Sequence, residues 1–211
     1  MSERLWQRLG AACGIFYVVL LMVGSSIGGP TSTVAIFLVF LALTFFLFFL
    51  GSLWAFLRRA EGDSGWLSTT AFGGGLVAIA VKLVGDAPLL AARRAGEGFD
   101  PQLAPALLDT YQASYWLHFF PLAVLLAAFA IVTIRSGGLP RWLGWAAAVI
   151  SLALIAGAAV GSANLDSEWA GFPFLLFMLW TLVTSIVLMR RAGQPLPIVG
   201  AARTSSVKET G

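Results

Sequence analysis

One cysteine and one histidine, Cys13 and His118, are all that 211 residues offer toward metal or redox chemistry. Zinc sites, haem pairs and iron–sulfur clusters need several such ligands, so no metal or cofactor is expected. A disulfide framework needs a second cysteine, which leaves Cys13 as a small packing residue. Charge is also scarce: 11% of residues are Asp, Glu, Lys or Arg, and 59% are hydrophobic. Soluble domains carry about 25% charge, so a soluble domain, a disordered chain and a coiled coil are excluded. There is no G-x-S-x-G, no Walker loop and no dinucleotide glycine fingerprint. No catalytic residue is therefore nominated.

What the chain has in abundance is long apolar runs. A bilayer core of about 30 Å needs roughly 20 helical residues at 1.5 Å each. Six runs qualify: Leu9 to Ile27, Val34 to Leu57, Trp66 to Gly85, Tyr111 to Ile134, Trp142 to Ala163 and Phe172 to Met189. A barrel would show alternating ten-residue strands, not continuous stretches such as VAIFLVFLALTFFLFFL. The predicted fold is an all-α, polytopic transmembrane helix bundle of six spans within residues 1–192, followed by a disordered tail at 193–211. Arg4 and Arg8 before the first run resemble a signal peptide, but the run is of span length and lacks an A-x-A site, so it reads as a retained helix.

Basic residues set the threading. Numbering sides by alternation, ten of the thirteen fall on one side: Arg4, Arg8, Arg58, Arg59, Arg135, Arg141, Arg190, Arg191, Arg203 and Lys208. The positive-inside rule puts both termini in the cytoplasm. Glu97, Asp100, Asp109, Asp166 and Glu168 fall on the other side, near Asp86. The net charge of +3 then records topology, and no nucleic-acid partner is implied. Membrane lipid is the expected environment. A small-molecule ligand and a membrane-protein partner or second copy remain open. Tryptophan, which favours the interface, falls near inner edges at Trp6, Trp54, Trp66, Trp142 and Trp145, and near outer ones at Trp116 and Trp169. Trp180 alone is mid-span.

Most links are short and rich in turn residues, giving three hairpins in one bundle. The exception is the outer connection from about Asp86 to Thr110, broken by Pro88, Gly96 and Gly98. Asp100 and Pro101 look like a helix start, and PQLAPALLDTY is expected to lie along the outer surface. Gly73-Gly74-Gly75 marks either a close helix approach or a local unwinding that exposes carbonyls.

Polar groups inside the spans are few and lie toward the outer side. Lys82 and Asp86, four apart, share a helix face; Lys82 either snorkels outward or pairs with a carboxylate. Tyr111, Ser114 or Tyr115, and His118 form one stripe, which would be costly against lipid and so should face other helices. Pro121 can kink this helix and free a carbonyl. One reading is an outward-opening ligand pocket formed by His118, Tyr115, Tyr111, Lys82 and Asp86, rimmed by Asn164, Asp166 and Glu168. The other is ordinary interhelical hydrogen bonding. Thr44, Thr181, Thr184 and Ser185 in the inner half can bond back to their own helices.

The segment SGGLPRWLGWAAAVISLALIAGA, with the basic start RLGAACGIFYVVLL and the long outer connection, resembles the uncharacterised bacterial six-span membrane proteins grouped as DUF4386-like. The resemblance implies a six-helix protein of a bacterial inner membrane. It brings no activity and no functional residues. Three functions are therefore expected as alternatives: a small-molecule binding or transport component, a non-catalytic subunit or sensor acting through partners, and a membrane enzyme on a lipid or isoprenoid using Asp86 or His118.

Overall fold

The computed structural model describes residues 3–27, 32–62, 64–95, 103–164 and 169–192. These are helical, without strands. In chain order they form α1 (Glu3–Ser26), α2 (Thr33–Glu61), α3 (Trp66–Ala95), α4 (Leu103–Leu117), α5 (Phe119–Ser136) and α6 (Arg141–Ala163). A 3-10 turn (Trp169–Gly171) then leads into α7 (Phe172–Arg191). Six stretches are long and apolar enough to cross a membrane, α4 and α5 counting together as one.

Each membrane-crossing stretch packs on its chain neighbour, and α7 returns against α1, so the helices close into a ring. Large side chains fill its middle. Phe129 meets Trp180 edge to face at 4.7 Å, and Phe46 meets Phe177 the same way at 5.9 Å. Lipid is as apolar as leucine, so burial from water cannot hold such helices together; close approach of small residues can. The triple glycine serves this purpose. The α3 helix continues through it unbroken, and a Cβ on Gly74 would lie 2.8 Å from the Pro121 carbonyl oxygen and 3.0 Å from the Leu125 nitrogen. Backbone is thus pressed on backbone.

Helix-end arginines of α2, α5 and α7 collect at one end. The Arg191 guanidinium donates to the carbonyl of Gly138, and a Cβ on Gly138 would come within 3.2 Å of Ala60. This gathers the ends of α2, α5 and α7 with their arginines. The Glu61 carboxylate accepts backbone N–H bonds from Leu67 (3.0 Å) and Ser68 (2.8 Å), and a hydroxyl bond from Ser64 (3.2 Å). An acidic group from the end of α2 therefore satisfies orphan donors at the start of α3, where the helix dipole favours it. Trp6, Trp54, Trp66, Trp142 and Trp145 are exposed, as interfacial anchors should be.

The helices extend beyond the apolar runs. The third span stays close to the expected Trp66 to Gly85, while its helix α3 continues through Pro88 to Ala95. The fourth starts earlier than Tyr111, in α4, which begins at Leu103. PQLAPALLDTY is thus mostly the first part of the fourth span rather than a surface segment. The 30 residues of α3 extend about 45 Å, roughly 15 Å more than a bilayer core. Apolar runs report only the part that meets lipid, whereas a helix continues as long as its hydrogen-bond ladder does. The Asp100–Pro101 start, Glu97, Asp166, Glu168 and the 193–211 tail lie outside the described residues.

Candidate functional site

The site begins with a missing donor. Pro121 has no N–H to offer the Leu117 carbonyl, so the ladder of the fourth span loses one rung. The helix is interrupted at His118, between α4 and α5. Its neighbours still pair, with the His118 N–H donating to the Ser114 carbonyl at 3.2 Å and the Leu122 N–H to the His118 carbonyl at 3.3 Å. The result is a local break rather than a loop.

His118 points into the bundle and is only 4% exposed. Its ring sits among Phe119 at 5.0 Å, Tyr115 at 5.3 Å and Phe174 at 5.5 Å. Nδ1 is buried without a hydrogen-bond partner. A neutral imidazole carries a single N–H, so the ring can donate one hydrogen bond. Nδ1 meets no carboxylate, so the acid–base arrangement required by the enzyme reading is missing at that atom.

Lys82 is 17% exposed at its side chain and does not reach freely for the membrane surface. Its ammonium is ion-paired with Asp86, one turn further along α3, and lies 5.1 Å from the centre of the Tyr111 ring. Such a contact over a phenol face adds cation–π attraction. Asp86 is buried, 8% exposed, so the pair neutralises a charge that would otherwise be costly at this depth.

Between these groups lies a cavity of about 30 Å³. His118 and Lys82 line it, together with Tyr17, Leu21, Val39, Leu43, Phe46, Ala78, Ile79, Leu122 and Phe174. It has room for about two water molecules and is far smaller than the roughly 150 Å³ that admits benzene. The five sequence-nominated residues therefore meet as two groups joined by one cavity. Asp86, Lys82 and Tyr111 form one, and Tyr115 with His118 the other. Lys82 and His118 face the cavity, while Tyr111, Tyr115 and Asp86 stand behind them. Asn164 is exposed where α6 ends, and Asp166 and Glu168 lie outside the described residues. Tyr17 and Phe174 were not nominated, because an aromatic inside an apolar run carries no signal of what it faces.

Trp116 is a correction. It is 4% exposed, not an interfacial anchor. Its indole fills the notch left by Gly161, where a Cβ would lie 2.2 Å from Cδ2. It also flanks Tyr115 at 4.8 Å and Phe119 at 5.5 Å, and so braces the histidine's surroundings. In the basic half, Thr44, Thr181 and Ser185 do bond back to the carbonyls of Phe40, Phe177 and Thr181. Thr184 does not: its hydroxyl is buried without a partner.

No group of three or more metal-ligating side chains occurs among the described residues. Comparison of the chain with family models, with curated proteins and with solved structures finds no match.

Proposed function

We propose that this is a small-molecule-binding membrane protein of a bacterial cytoplasmic membrane, its basic end inside and its ligand cavity in the outer half. The positive-inside bias supports the orientation. The observation that carries the binding reading is the His118 ring in the wall of an otherwise largely apolar cavity, beside a lysine whose charge is already balanced. A buried Nδ1 without a hydrogen-bond partner is costly in lipid, and a polar group on a guest beside the ring would compensate it. The Lys82–Asp86 pair gives the site no net charge, which suits an uncharged guest. Passage through the bundle is disfavoured: Phe49, Leu50, Leu53 and Leu57 are buried in the basic half, and most hydroxyls there are turned onto their own helices. Binding, as a receptor or a capture subunit, fits better than conduction.

Native mass spectrometry of the protein extracted from its membranes tests this. Ala78 lines the cavity and is buried, so Ala78→Phe should fill the space. Wild type should carry a small molecule that Ala78→Phe loses and His118→Ala holds more weakly. The same adduct on all three proteins, or none on wild type, would remove the reading.

A further inference from the structure

The seams between helices differ in where they are tight. On the acidic side of the bundle, α1 and α2 close at Gly24, where a Cβ would lie 3.3 Å from Leu38. There α3 and α4 close at Gly85, 2.4 Å by the same measure from Ser114, and α6 meets α4 at Gly161 and Trp116. The α2–α3 seam is tight at the other end. It is joined by Glu61 capping α3, by Trp54 against Phe72 at 6.1 Å, and by Leu50 against Gly75 near the middle. Further out, the facing residues are Val39 and Leu43 on α2 and Ile79 and Lys82 on α3, and all four border the cavity. Val39 and Ile79 are half-buried, and Phe37, Val77 and Val84, on other faces of the same two helices, are exposed apolar side chains. The α2–α3 seam is thus apolar where it borders the cavity, apart from Lys82.

We propose that the guest is an uncharged single-chain lipid with a hydrogen-bond-accepting head, which enters sideways between α2 and α3. The head sits against His118, and the chain trails past Leu43 and Ile79 into the bilayer. This rests on the ligand reading of the cavity given above. Size and charge select the class. A volume of about two waters admits an ester or hydroxyl group but not a ring. An anionic head would have to displace Asp86 from Lys82 and strand a buried carboxylate. A neutral acceptor leaves that pair intact. The chain needs no enclosed volume, because lipid already covers the seam.

The full-length protein in phosphatidylcholine vesicles, photolysed with a long-chain methyl ester bearing a diazirine near its head, tests the route. Label should map to Leu43, Ile79 and His118. A fatty acid with the same chain and diazirine, ionised at neutral pH, should label these positions at least ten-fold less. Val39→Trp and Ile79→Trp, two independent blocks at half-buried positions, should each cut ester labelling about ten-fold. Val149→Trp, on the exposed face of α6, should leave it unchanged. Variants are compared only when they elute as wild type does. Ester label confined to exposed faces, equal labelling by acid and ester, or labelling that enters between α1 and α7 would overturn the proposal. If Ala78→Phe loses the membrane-derived molecule while the ester never labels the cavity, the binding site stands and the lateral lipid route falls. If Ala78→Phe changes neither measurement, both fall.

Discussion

Alanine at Gly73, Gly74 and Gly75 should have three different outcomes, although the residues are consecutive and chemically identical. Replacing a helical glycine with alanine gains about 0.8–1 kcal/mol of helix propensity where the new methyl is free. Gly73 has nothing within 4 Å of the added carbon, so Gly73→Ala should stabilise by up to about 1 kcal/mol. At Gly74 the new methyl meets the Pro121 carbonyl at 2.8 Å and the Leu125 nitrogen at 3.0 Å, both backbone atoms that cannot rotate away. Overpacking of this kind costs about 1–3 kcal/mol, so Gly74→Ala should be destabilising overall, and the break at His118 should shift with it. At Gly75 the obstacles are the Leu50 and Leu125 methyls at 2.5–2.9 Å, which can change rotamer. That variant should fall between the other two. Reversible unfolding in mixed detergent micelles, followed by tryptophan fluorescence, would rank them. Gly74→Ala at or above wild-type stability would refute the backbone contact between α3 and α5 on which the placement of His118 depends. Equal losses at all three positions would refute it as well.

Other outcomes follow from the same geometry. Gly161→Ala should destabilise by about 1–3 kcal/mol because the methyl would occupy the place of the Trp116 indole. Adding Trp116→Phe should recover part of that loss at no hydrogen-bond cost, since Nε1 has no partner; additive losses in the double variant would contradict the notch. Lys82→Met and Asp86→Asn should each be more harmful than the double variant, with a coupling of at least about 1 kcal/mol in the same unfolding assay. Glu61→Ala should cost about 1 kcal/mol, through lost bonds to Leu67 and Ser68, and raise hydrogen exchange at those two amides; unchanged exchange would deny the cap.

The cost of polar groups in lipid made part of the site readable in advance. Tyr111, Tyr115 and His118 recur on one helical face, and a face so polar cannot be left to acyl chains, so its turn toward other helices was a reasoned expectation. The Lys82–Asp86 spacing could be read as a pair for the same reason, although snorkelling satisfied the sequence equally well. The cavity itself was not readable. It is walled by side chains from α1, α2, α3, α5 and α7, and which of these come together is a property of the whole bundle. Tyr17, Leu43 and Phe174 sit in uniform apolar runs, where facing the cavity, the core or the lipid calls for the same kind of residue.

Hydropathy by itself determined six crossings and a basic end, because a bilayer imposes one length and one charge rule on every segment separately. Tertiary packing decided the rest. It drew Trp116 from the interface into the Gly161 notch, and chose Gly74 over Gly73 as the contact with α5. Each of these depends on which face of one helix meets which face of another. Lipid is indifferent to that choice, and close-range shape decides it.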